Sequence, residues 1–243
     1  MKRLTDFPNI PFAQLPTPLY KLENLSRSCG KNLYIKRDDM TGVALGGNKV
    51  RKLEFLLADA REKGCDVVLT TGGPQSNHAM LTAACASRLG MRAILVLTKR
   101  GTPTAATRTW AGRFGPAAGA AAAAPSTSAS AEMDRIMADL RRAGHVPYAI
   151  PVGGSVPLGS LGYVNCALEI ANQARDMGVT FDSIVSATGP GGTYAGLTYG
   201  AQLSPPGPRS VGTRVAARLF QHTPRAPMAA PAPLLASRRP GRR

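Results

Sequence analysis

The sequence predicts an α/β fold made of two open parallel-sheet domains with helices on both faces. Short runs of β-branched and aliphatic residues, such as DVVLTT (66–71) and RAILVL (92–97), alternate with longer segments whose apolar residues recur at helical spacing. Glycines at positions 30, 64 and 144 follow helical segments and indicate where those helices end. Single strands alternating with helices are typical of parallel strands joined by right-handed crossovers.

The elements follow in order along the chain. A proline-rich opening leads to a short helix that we expect to end at Gly30, and a strand follows at 33–36. Beyond the next loop, the pattern predicts a helix from Val50 to the glycine at 64, a strand at 66–72, a helix from the GPQSNH turn to Arg88, and a strand at 92–98. It resumes after residue 131 with a helix at 132–142, a strand at 147–151, a helix at 161–177, a strand at 182–188 and a helix at 193–203.

Two segments break this pattern. Residues 102–130 contain eleven alanines and almost no large aliphatic side chain, so we expect no buried strand from them. Residues 204–243 contain eight prolines, seven alanines and eight arginines but no acidic residue, and we expect a disordered tail. One hypothesis is that both are out-of-frame stretches of a GC-rich gene that interrupt an enzyme sequence. The alternative is a genuine low-complexity linker and tail.

The net charge of +16 is concentrated in these two segments. Ten of the positive charges lie there, so the rest of the chain carries +6, an ordinary value, and we do not expect nucleic acid as a partner. The four cysteines, at positions 29, 65, 85 and 166, form no CxxC pair and predict neither a metal site nor a disulfide framework. Without a signal peptide or a run of about 18 apolar residues that could span a membrane, we expect a cytoplasmic protein.

Three polar, glycine-bearing turns could carry chemistry, because ligands of parallel α/β sheets bind at the carboxyl ends of strands beside helix N-termini. The first places Lys49, after Gly46 and Gly47, at the start of a helix that also carries Arg51 and Lys52. A lysine held among cations and partly desolvated loses its proton more easily, which suits it to Schiff-base chemistry. A solvated lysine on a basic helix start is the alternative.

The second turn places Ser76, Asn77 and His78 at a helix start, where backbone N–H groups and short polar side chains can bind a carboxylate or a ring oxygen. Ordinary helix capping fits the same residues. The third turn, 188–193 (TGPGGT), follows an apolar strand and opens a helix, as phosphate-binding loops do. A dinucleotide site is the weaker interpretation of that loop, since no acidic residue follows Asp182.

A pyridoxal phosphate enzyme needs the three features that these turns combine, which are a lysine among glycines, a Ser-Asn helix start and a phosphate loop. The segments concerned are IKRDDMTGVALGGNKVRKLEFL (35–56), TTGGPQSNHAMLTAACASRLGM (70–91), YAIPVGGSVPLGSLGYVNCALEIA (148–171) and SIVSATGPGGTYAGL (183–197). They resemble the D-cysteine desulfhydrase and 1-aminocyclopropane-1-carboxylate deaminase family, in the tryptophan-synthase-β-like class (fold type II) of pyridoxal phosphate enzymes. The resemblance covers residues 1–101 and 131–203 and stops at the two unusual segments.

The resemblance implies a role for each candidate residue. Lys49 would hold pyridoxal 5'-phosphate as a Schiff base and later move a substrate proton. Ser76 would take part in catalysis and would bind the substrate together with Asn77 and His78, while Asn77 would also meet the pyridoxal ring hydroxyl. The phosphate would be bound by Lys52 and by the third turn, through Thr188, Gly189, Gly191, Gly192 and Thr193.

The same resemblance implies an enzyme with its cofactor in the crevice between two domains. A large cofactor domain would comprise residues 1–49 and 161–203 and lack its C-terminal part, a small α/β domain would comprise 50–160, and 204–243 would be the tail. The implied reaction is β-elimination of sulfide from D-cysteine, giving pyruvate, ammonia and sulfide. The alternatives are a 1-aminocyclopropane-1-carboxylate deaminase and an inactive frameshifted or truncated remnant. The implied substrate is a small amino acid, and the suggested assembly is a homodimer.

Overall fold

The computed structural model describes residues 3–98, 118–122, 128–203 and 208–214. The chain divides into two compact units, a first made of Met1–Pro8 with Ser155–Arg243 and a second made of Asn9–Gly154. Each unit is described by itself.

The second unit begins with an antiparallel pair of short strands. Strand β1 (Leu19–Lys21) pairs with β2 (Tyr34–Lys36), and helix α1 (Glu23–Cys29) connects them. Helix α1 ends where Gly30 adopts the left-handed conformation (φ 60°), as the glycine in the sequence predicts. After β2 the chain enters the loop that carries Lys49.

The centre of the second unit is a four-stranded parallel sheet. Helix α2 (Val50–Glu62) precedes strand β3 (Val67–Gly72), and helix α3 (Asn77–Arg88) leads to β4 (Arg92–Leu97). Strand β5 (Ala118–Ala122), helix α4 (Ala129–Arg142) and strand β6 (Pro147–Ile150) complete it, in the spatial order β5-β4-β3-β6. Every neighbouring pair is parallel, which places the carboxyl ends of all four strands at one edge.

Helices cover both faces of this sheet. Successive side chains of a strand point to opposite faces. One face packs against α4 in a cluster of Val67, Leu69, Val96, Met133 and Leu140. On the other face Thr70 of β3 contacts His78 of α3. The prediction of helices on both faces is confirmed for this sheet.

Helix α2 is buried over most of its length. Its apolar residues at helical spacing, Val50, Leu53 and Leu57, are inaccessible to solvent, as their spacing predicts. Arg51, Lys52 and Glu54 are also buried. Their burial does not follow from an amphipathic pattern and rules out a solvated basic helix start.

The first unit contains helix α5 (Pro157–Asp176), strand β7 (Ser183–Thr188), helix α6 (Gly192–Gln202) and strand β8 (Arg209–Arg214). Strands β7 and β8 pair in parallel. The two helices approach closely, because a Cβ atom at Gly196 would lie 2.4 Å from the Ser160 carbonyl oxygen and 2.5 Å from Tyr163 Cβ. Gly196 therefore allows the two helices to pack closely.

The predicted helices and strands are found with bounds that differ by at most four residues. The largest difference is at α5, which begins at Pro157 and not at 161. Proline suits the first turn of a helix because its missing N–H would be unpaired there in any case. The antiparallel pairing of β1 with β2 was not predicted, since the sequence shows only an extended, proline-rich entry before α1.

The structure describes parts of both unusual segments and corrects the expectation of a disordered tail. Residues 118–122, inside the alanine-rich segment, form strand β5 at the edge of the parallel sheet, where backbone pairing with β4 does not require large side chains. Residues 209–214, inside the segment expected to be disordered, form β8. The structure also describes residues 128–130, at the start of α4, and residue 208, just before β8. The remainder of the two segments lies outside the described residues, at 102–117, 123–127, 204–207 and 215–243.

The compact units do not have the boundaries that were predicted for the domains. The units change at residues 8/9 and 154/155, whereas the predicted domains change at 49/50 and 160/161. Residues 9–49 thus lie in the unit that contains the four-stranded sheet.

Candidate active site

The loop between β2 and α2 delivers Lys49 to the start of α2. Its conformation is held from within, because Thr41 Oγ1 bonds both the N–H and the carbonyl oxygen of Gly47, each at 3.0 Å. Gly46 and Gly47 have positive φ angles of 75° and 140°. A Cβ atom at Gly46 would lie 1.9 Å from the carbonyl oxygen of Asp39. The two glycines are therefore needed for the chain to reach Lys49 by this path.

Lys49 is the N-cap residue of α2 and is partly buried. Its Nζ atom donates a hydrogen bond to Asn48 Oδ1 at 2.8 Å. Burial lowers the pKa of Lys49 below its usual 10.5, because an ammonium group loses hydration when it leaves water. An amine that is easily deprotonated can attack an aldehyde, which supports the proposed role of Lys49.

Lys52 lies one turn further along α2 and is only 1% exposed. Its Nζ atom donates to the carbonyl oxygen of Gly153 at 3.2 Å. Burial, together with the positive charge of Lys49, lowers the pKa of Lys52 to about 7. A buried amine that is partly protonated near neutral pH suits an anionic ligand.

The start of α3 is joined to the Lys49 loop by Asn77. Its Nδ2 atom donates to the Gly46 carbonyl oxygen at 3.3 Å, and a Cβ atom at Gly47 would lie 2.2 Å from the same nitrogen. Ser76 is the N-cap of α3, and its Oγ atom accepts a hydrogen bond from the backbone N–H of Ala79 at 3.2 Å. The capping interpretation of Ser76 is confirmed. A capping serine uses its oxygen as acceptor, so its hydroxyl hydrogen is not consumed by that bond.

His78 points away from this surface into the interior, where only 4% of it is exposed. Its Nε2 atom lies 3.0 Å from Thr70 Oγ1, and Thr70 Oγ1 donates to the Ile150 carbonyl oxygen at 2.8 Å. A hydroxyl has one hydrogen to donate, so His78 Nε2 carries the hydrogen of their shared bond. Among the described residues, His78 Nδ1 has no partner.

Burial is the main cause that lowers the pKa of His78 to about 3, and the charges of Lys49 and Lys52 act in the same direction. The ring is therefore neutral at physiological pH. Because the ring is turned toward Thr70, only the backbone of His78 remains a proposed contact for a substrate.

The loop 188–193 belongs to the first unit. Gly191 has a φ of 92° and is the N-cap of α6, so this helix begins without a side-chain cap. Pro190 provides no backbone N–H, which leaves the loop with fewer donors for a phosphate than an ordinary glycine-rich turn. Strand β8 lies close to the start of the loop, since a Cβ atom at Gly212 would lie 2.7 Å from Thr188 Oγ1.

Within the second unit, the structure brings together Lys49, Lys52 and Asn77, with Ser76 beside Asn77. The predicted phosphate residues Thr188, Gly189, Gly191, Gly192 and Thr193 lie in the other unit. Sequence reasoning did not identify Thr41, Thr70 or Gly153. Only Gly153 has a signal in the sequence, since a pair of glycines after a strand indicates a turn with positive φ.

The described residues contain no group of three or more His, Cys, Asp or Glu side chains placed to hold a metal ion. Within the same part of the chain, none of the helices combines the length and the apolar character that crossing a membrane requires.

A parallel α/β unit with a partly buried lysine at a helix start is suited to an enzyme that holds an aldehyde as a Schiff base. Comparison with known protein families identifies the class of enzyme. Residues 10–236 match the family described as pyridoxal-phosphate dependent enzyme. The chain therefore belongs to the pyridoxal-phosphate dependent enzymes, and pyridoxal 5'-phosphate is its cofactor. The match runs through both unusual segments, whereas the sequence resemblance was expected to stop at them, so the out-of-frame hypothesis loses that support.

Two relatives are similar over most of this chain. The D-cysteine desulfhydrase of Serratia proteamaculans (strain 568) is 41% identical in an alignment of 234 positions that covers 92% of this chain and 69% of the relative. A Pyrococcus horikoshii protein, assigned only provisionally as a 1-aminocyclopropane-1-carboxylate deaminase, is 44% identical over 213 residues, 87% of this chain and 64% of the relative.

Solved structures agree with these relatives. The crystal structure of an ACC deaminase homologue matches with a TM-score of 0.73 and 44% identity, over 81% of this chain and 59% of that one. The crystal structure of the T.th. threonine deaminase matches with a TM-score of 0.61 at 24% identity, over 82% of this chain and 59% of that one, which supports the fold alone. This chain thus spans less than two thirds of the length of several proteins that it matches.

The residues of the second unit fit pyridoxal 5'-phosphate. Lys49 offers an amine whose lowered pKa suits an aldehyde, Asn77 offers an N–H donor beside it, and Lys52 offers a buried cation for an anionic group. Gly46 and Gly47 lie too close to Asp39 and Asn77 to carry a Cβ atom, which lets Asn77 approach the Lys49 loop.

Proposed function

We propose that this chain belongs to a pyridoxal phosphate-dependent lyase that converts D-cysteine and water into pyruvate, ammonia and sulfide. The observation that carries the proposal is Lys49, a partly buried amine of lowered pKa beside the start of α3. The 41% identity to a D-cysteine desulfhydrase supports the choice of substrate. Because the chain spans 69% of that enzyme, the activity of the whole protein is part of the proposal.

When bound, the cofactor would withdraw electrons from the α-carbon of the amino acid and so make its proton acidic. In this proposal, Lys49 holds the aldehyde carbon and then carries the proton of the substrate α-carbon. Ser76 and the backbone N–H groups at the start of α3 hold the substrate carboxylate, because a helix N-terminus favours an anion. Asn77 donates to the ring hydroxyl, and Lys52 offers its buried cation to the phosphate.

A deaminase acting on 1-aminocyclopropane-1-carboxylate is the second candidate. The P. horikoshii protein supports it with 44% identity, and so does the ACC deaminase homologue. Both substrates are small amino acids with a carboxylate, so Lys49 and the start of α3 would serve either one. The two differ in their products, since only D-cysteine releases sulfide.

The test is to incubate the purified chain with pyridoxal 5'-phosphate, reduce it with borohydride, and locate the modified lysine by peptide mass spectrometry. We expect the reduced adduct on Lys49, none on the Lys49→Arg variant, and an unchanged yield on a Lys63→Arg control, whose lysine side chain is 60% exposed. Sulfide and pyruvate are then measured with D-cysteine, and ammonia with 1-aminocyclopropane-1-carboxylate.

Sulfide release that depends on Lys49 would support the lyase, and ammonia without sulfide would support the deaminase. An adduct on Lys49 with no product from either substrate would identify the inactive remnant. An adduct on other lysines only would contradict the assignment of Lys49.

Two further properties belong to the proposal. Cys29, Cys65, Cys85 and Cys166 form no disulfide, in keeping with the reducing cytoplasm that we propose as the location. A homodimer is proposed from the family resemblance, and light scattering of the purified protein would test it.

A further inference from the structure

The loop that carries Lys49 is closed at its base by a buried ion pair. Asp38 follows β2, and Arg51 lies in the first turn of α2, 13 positions later. Arg51 Nε donates to Asp38 Oδ2 and Arg51 Nη2 donates to Asp38 Oδ1, both at 2.8 Å. The side chains are 1% and 13% exposed for Arg51 and Asp38. A two-pronged contact of this kind fixes orientation as well as distance.

Thr17 adds a third segment of the chain to this pair. Its hydroxyl donates to Asp38 Oδ1 at 2.8 Å and accepts from Arg51 Nη2 at 3.1 Å. Thr17 is fully buried. A buried ion pair contributes little net stability compared with apolar packing, because both charges lose their hydration. The ion pair therefore contributes mainly a fixed loop geometry and little stability.

The loop between the ion pair and Lys49 is held by several close contacts. Inside the loop, Thr41 is tied to Gly47 by two hydrogen bonds, and the backbone of Gly46 lies directly against Asp39. Lys49 stands two residues before Arg51 and caps the same helix. A change in the position of Arg51 or Asp38 is therefore passed to Lys49.

We propose that Asp38 and Arg51 are positioning residues that hold Lys49 in its partly desolvated place. The proposal rests on the proposed function of Lys49 as the cofactor-binding amine. Neither side chain is required to touch a ligand, and their effect is exerted through the loop and the first turn of α2.

The experiment measures Lys49 directly, without cofactor or substrate. Trace labelling with acetic anhydride across the pH range, read by mass spectrometry of the Lys49 peptide, gives the pKa of this amine in each variant. Hydrogen exchange of residues 39–48 reports opening of the loop. The variants are Arg51→Lys, which keeps the charge but loses the two-pronged contact, and Asp38→Asn.

The matched control is Glu54→Gln. Glu54 is a buried charged residue of the same helix, but its Oε1 atom accepts the N–H groups of Phe12 and Ala13, each at 2.9 Å, and so holds a different segment. Where a variant at position 51 or 38 does not fold, Thr17→Val gives the same readout, because it removes one contact from each partner and leaves both charges paired.

In Arg51→Lys and Asp38→Asn we expect the pKa of Lys49 to rise by about one unit toward its usual value, since a displaced amine regains hydration. We expect loop exchange to become about tenfold faster. In Glu54→Gln we expect loss of thermal stability with neither effect.

If the pKa of Lys49 stays within about 0.3 unit in all variants, or moves equally in Glu54→Gln, the pair is merely structural and the proposal is overturned. Borohydride trapping on the unaltered chain is a separate measurement. If it fails to find an adduct on Lys49, the proposed function fails, whereas the labelling result on the loop stands.

Discussion

Lys49, Arg51 and Lys52 lie within one turn of α2, yet their surroundings give each a different charge behaviour. Arg51 stays charged, because a guanidinium group does not lose its proton in proteins and Asp38 neutralises it. Lys49 and Lys52 instead have lowered pKa values, since burial disfavours their charged forms. The sequence predicts a cluster of cations in which the pKa of Lys49 is lowered, and the structure adds a lowered pKa for Lys52 and an ion pair between Arg51 and Asp38.

Replacing Lys52 with methionine is predicted to stabilise the protein in a pH-dependent way. Below about pH 7, Lys52 is protonated in both the folded and unfolded chains, and the folded chain bears the cost of burying the charge. Between pH 7 and its usual pKa of 10.5, the folded chain releases the proton while the unfolded chain keeps it, so the stability of the unaltered protein rises with pH. Lys52→Met should therefore be more stable by about 4 kcal/mol near pH 6.5 but by only about 1 kcal/mol near pH 9.5.

Urea unfolding followed by circular dichroism at the two pH values measures this difference. Lys63→Met is the control, because the Lys63 side chain is 60% exposed and its charged group contacts Asp59 and the face of the Tyr148 ring. Surface pairs contribute about 1 kcal/mol or less. A stability gain for Lys52→Met that is equal at both pH values would contradict a lowered pKa for Lys52.

At the scale of elements, the start of α3 can be compared with the start of α4. Both helices begin with a serine N-cap, Ser76 accepting from Ala79 at 3.2 Å and Ser128 accepting from Ala131 at 3.1 Å. Loss of either cap by substitution with alanine should cost about 1 kcal/mol of stability, because one helix N–H loses its partner. The proposed function assigns a ligand only to the start of α3.

We therefore predict that Ser76→Ala and Ser128→Ala lower the melting temperature by similar amounts, but that only Ser76→Ala raises the KM for D-cysteine, by about tenfold. Thermal unfolding and initial-rate kinetics on the two variants test this. Equal KM values for the two variants would show that Ser76 is a structural cap alone.

The order of elements could be predicted because periodicity and glycine signals report local structure. Val50, Leu53 and Leu57 show the buried face of α2, and Gly30 shows the end of α1. The strands β5 and β8 were not predicted, because β5 contains only alanine and glycine and β8 has only Val211 and Thr213 among glycine, serine and arginine. Pairing with β4 and β7 places them in sheets, and pairing between distant segments has no local signal.

The site could be predicted only as far as its residue types allow. Lys49 and Asn77 follow from a lysine after two glycines and from a polar helix start. The inward turn of His78 could not be predicted, because it depends on Thr70 in β3 and on the Ile150 carbonyl in β6, 80 positions away from Thr70. Likewise, the sequence alone indicates a surface cation at Arg51, because its pairing with Asp38 follows only from the structure.

For the whole molecule, the uneven distribution of charge is the property that bears on partners. Residues 215–243 carry six arginines and no acidic residue, whereas the catalytic candidates lie in 49–78. A net charge of +16 favours non-specific attraction to any polyanion. Two properties distinguish this non-specific binding from the proposed catalytic function. Its affinity falls steeply with salt, and it does not depend on Lys49.

We predict that the chain binds random-sequence duplex DNA only weakly, with an affinity that drops by about a hundredfold or more between 50 and 200 mM salt. Replacing the six arginines of residues 215–243 with glutamine, which keeps the length, should abolish most of that binding because few counterions are then released. The same variant should form the borohydride-trapped adduct on Lys49 in unchanged yield, since the substituted residues are distant in sequence from the Lys49 loop. Fluorescence anisotropy at several salt concentrations and peptide mass spectrometry provide the two measurements. Submicromolar binding that persists at 200 mM salt and prefers one DNA sequence would make nucleic acid a genuine partner and count against the charge argument.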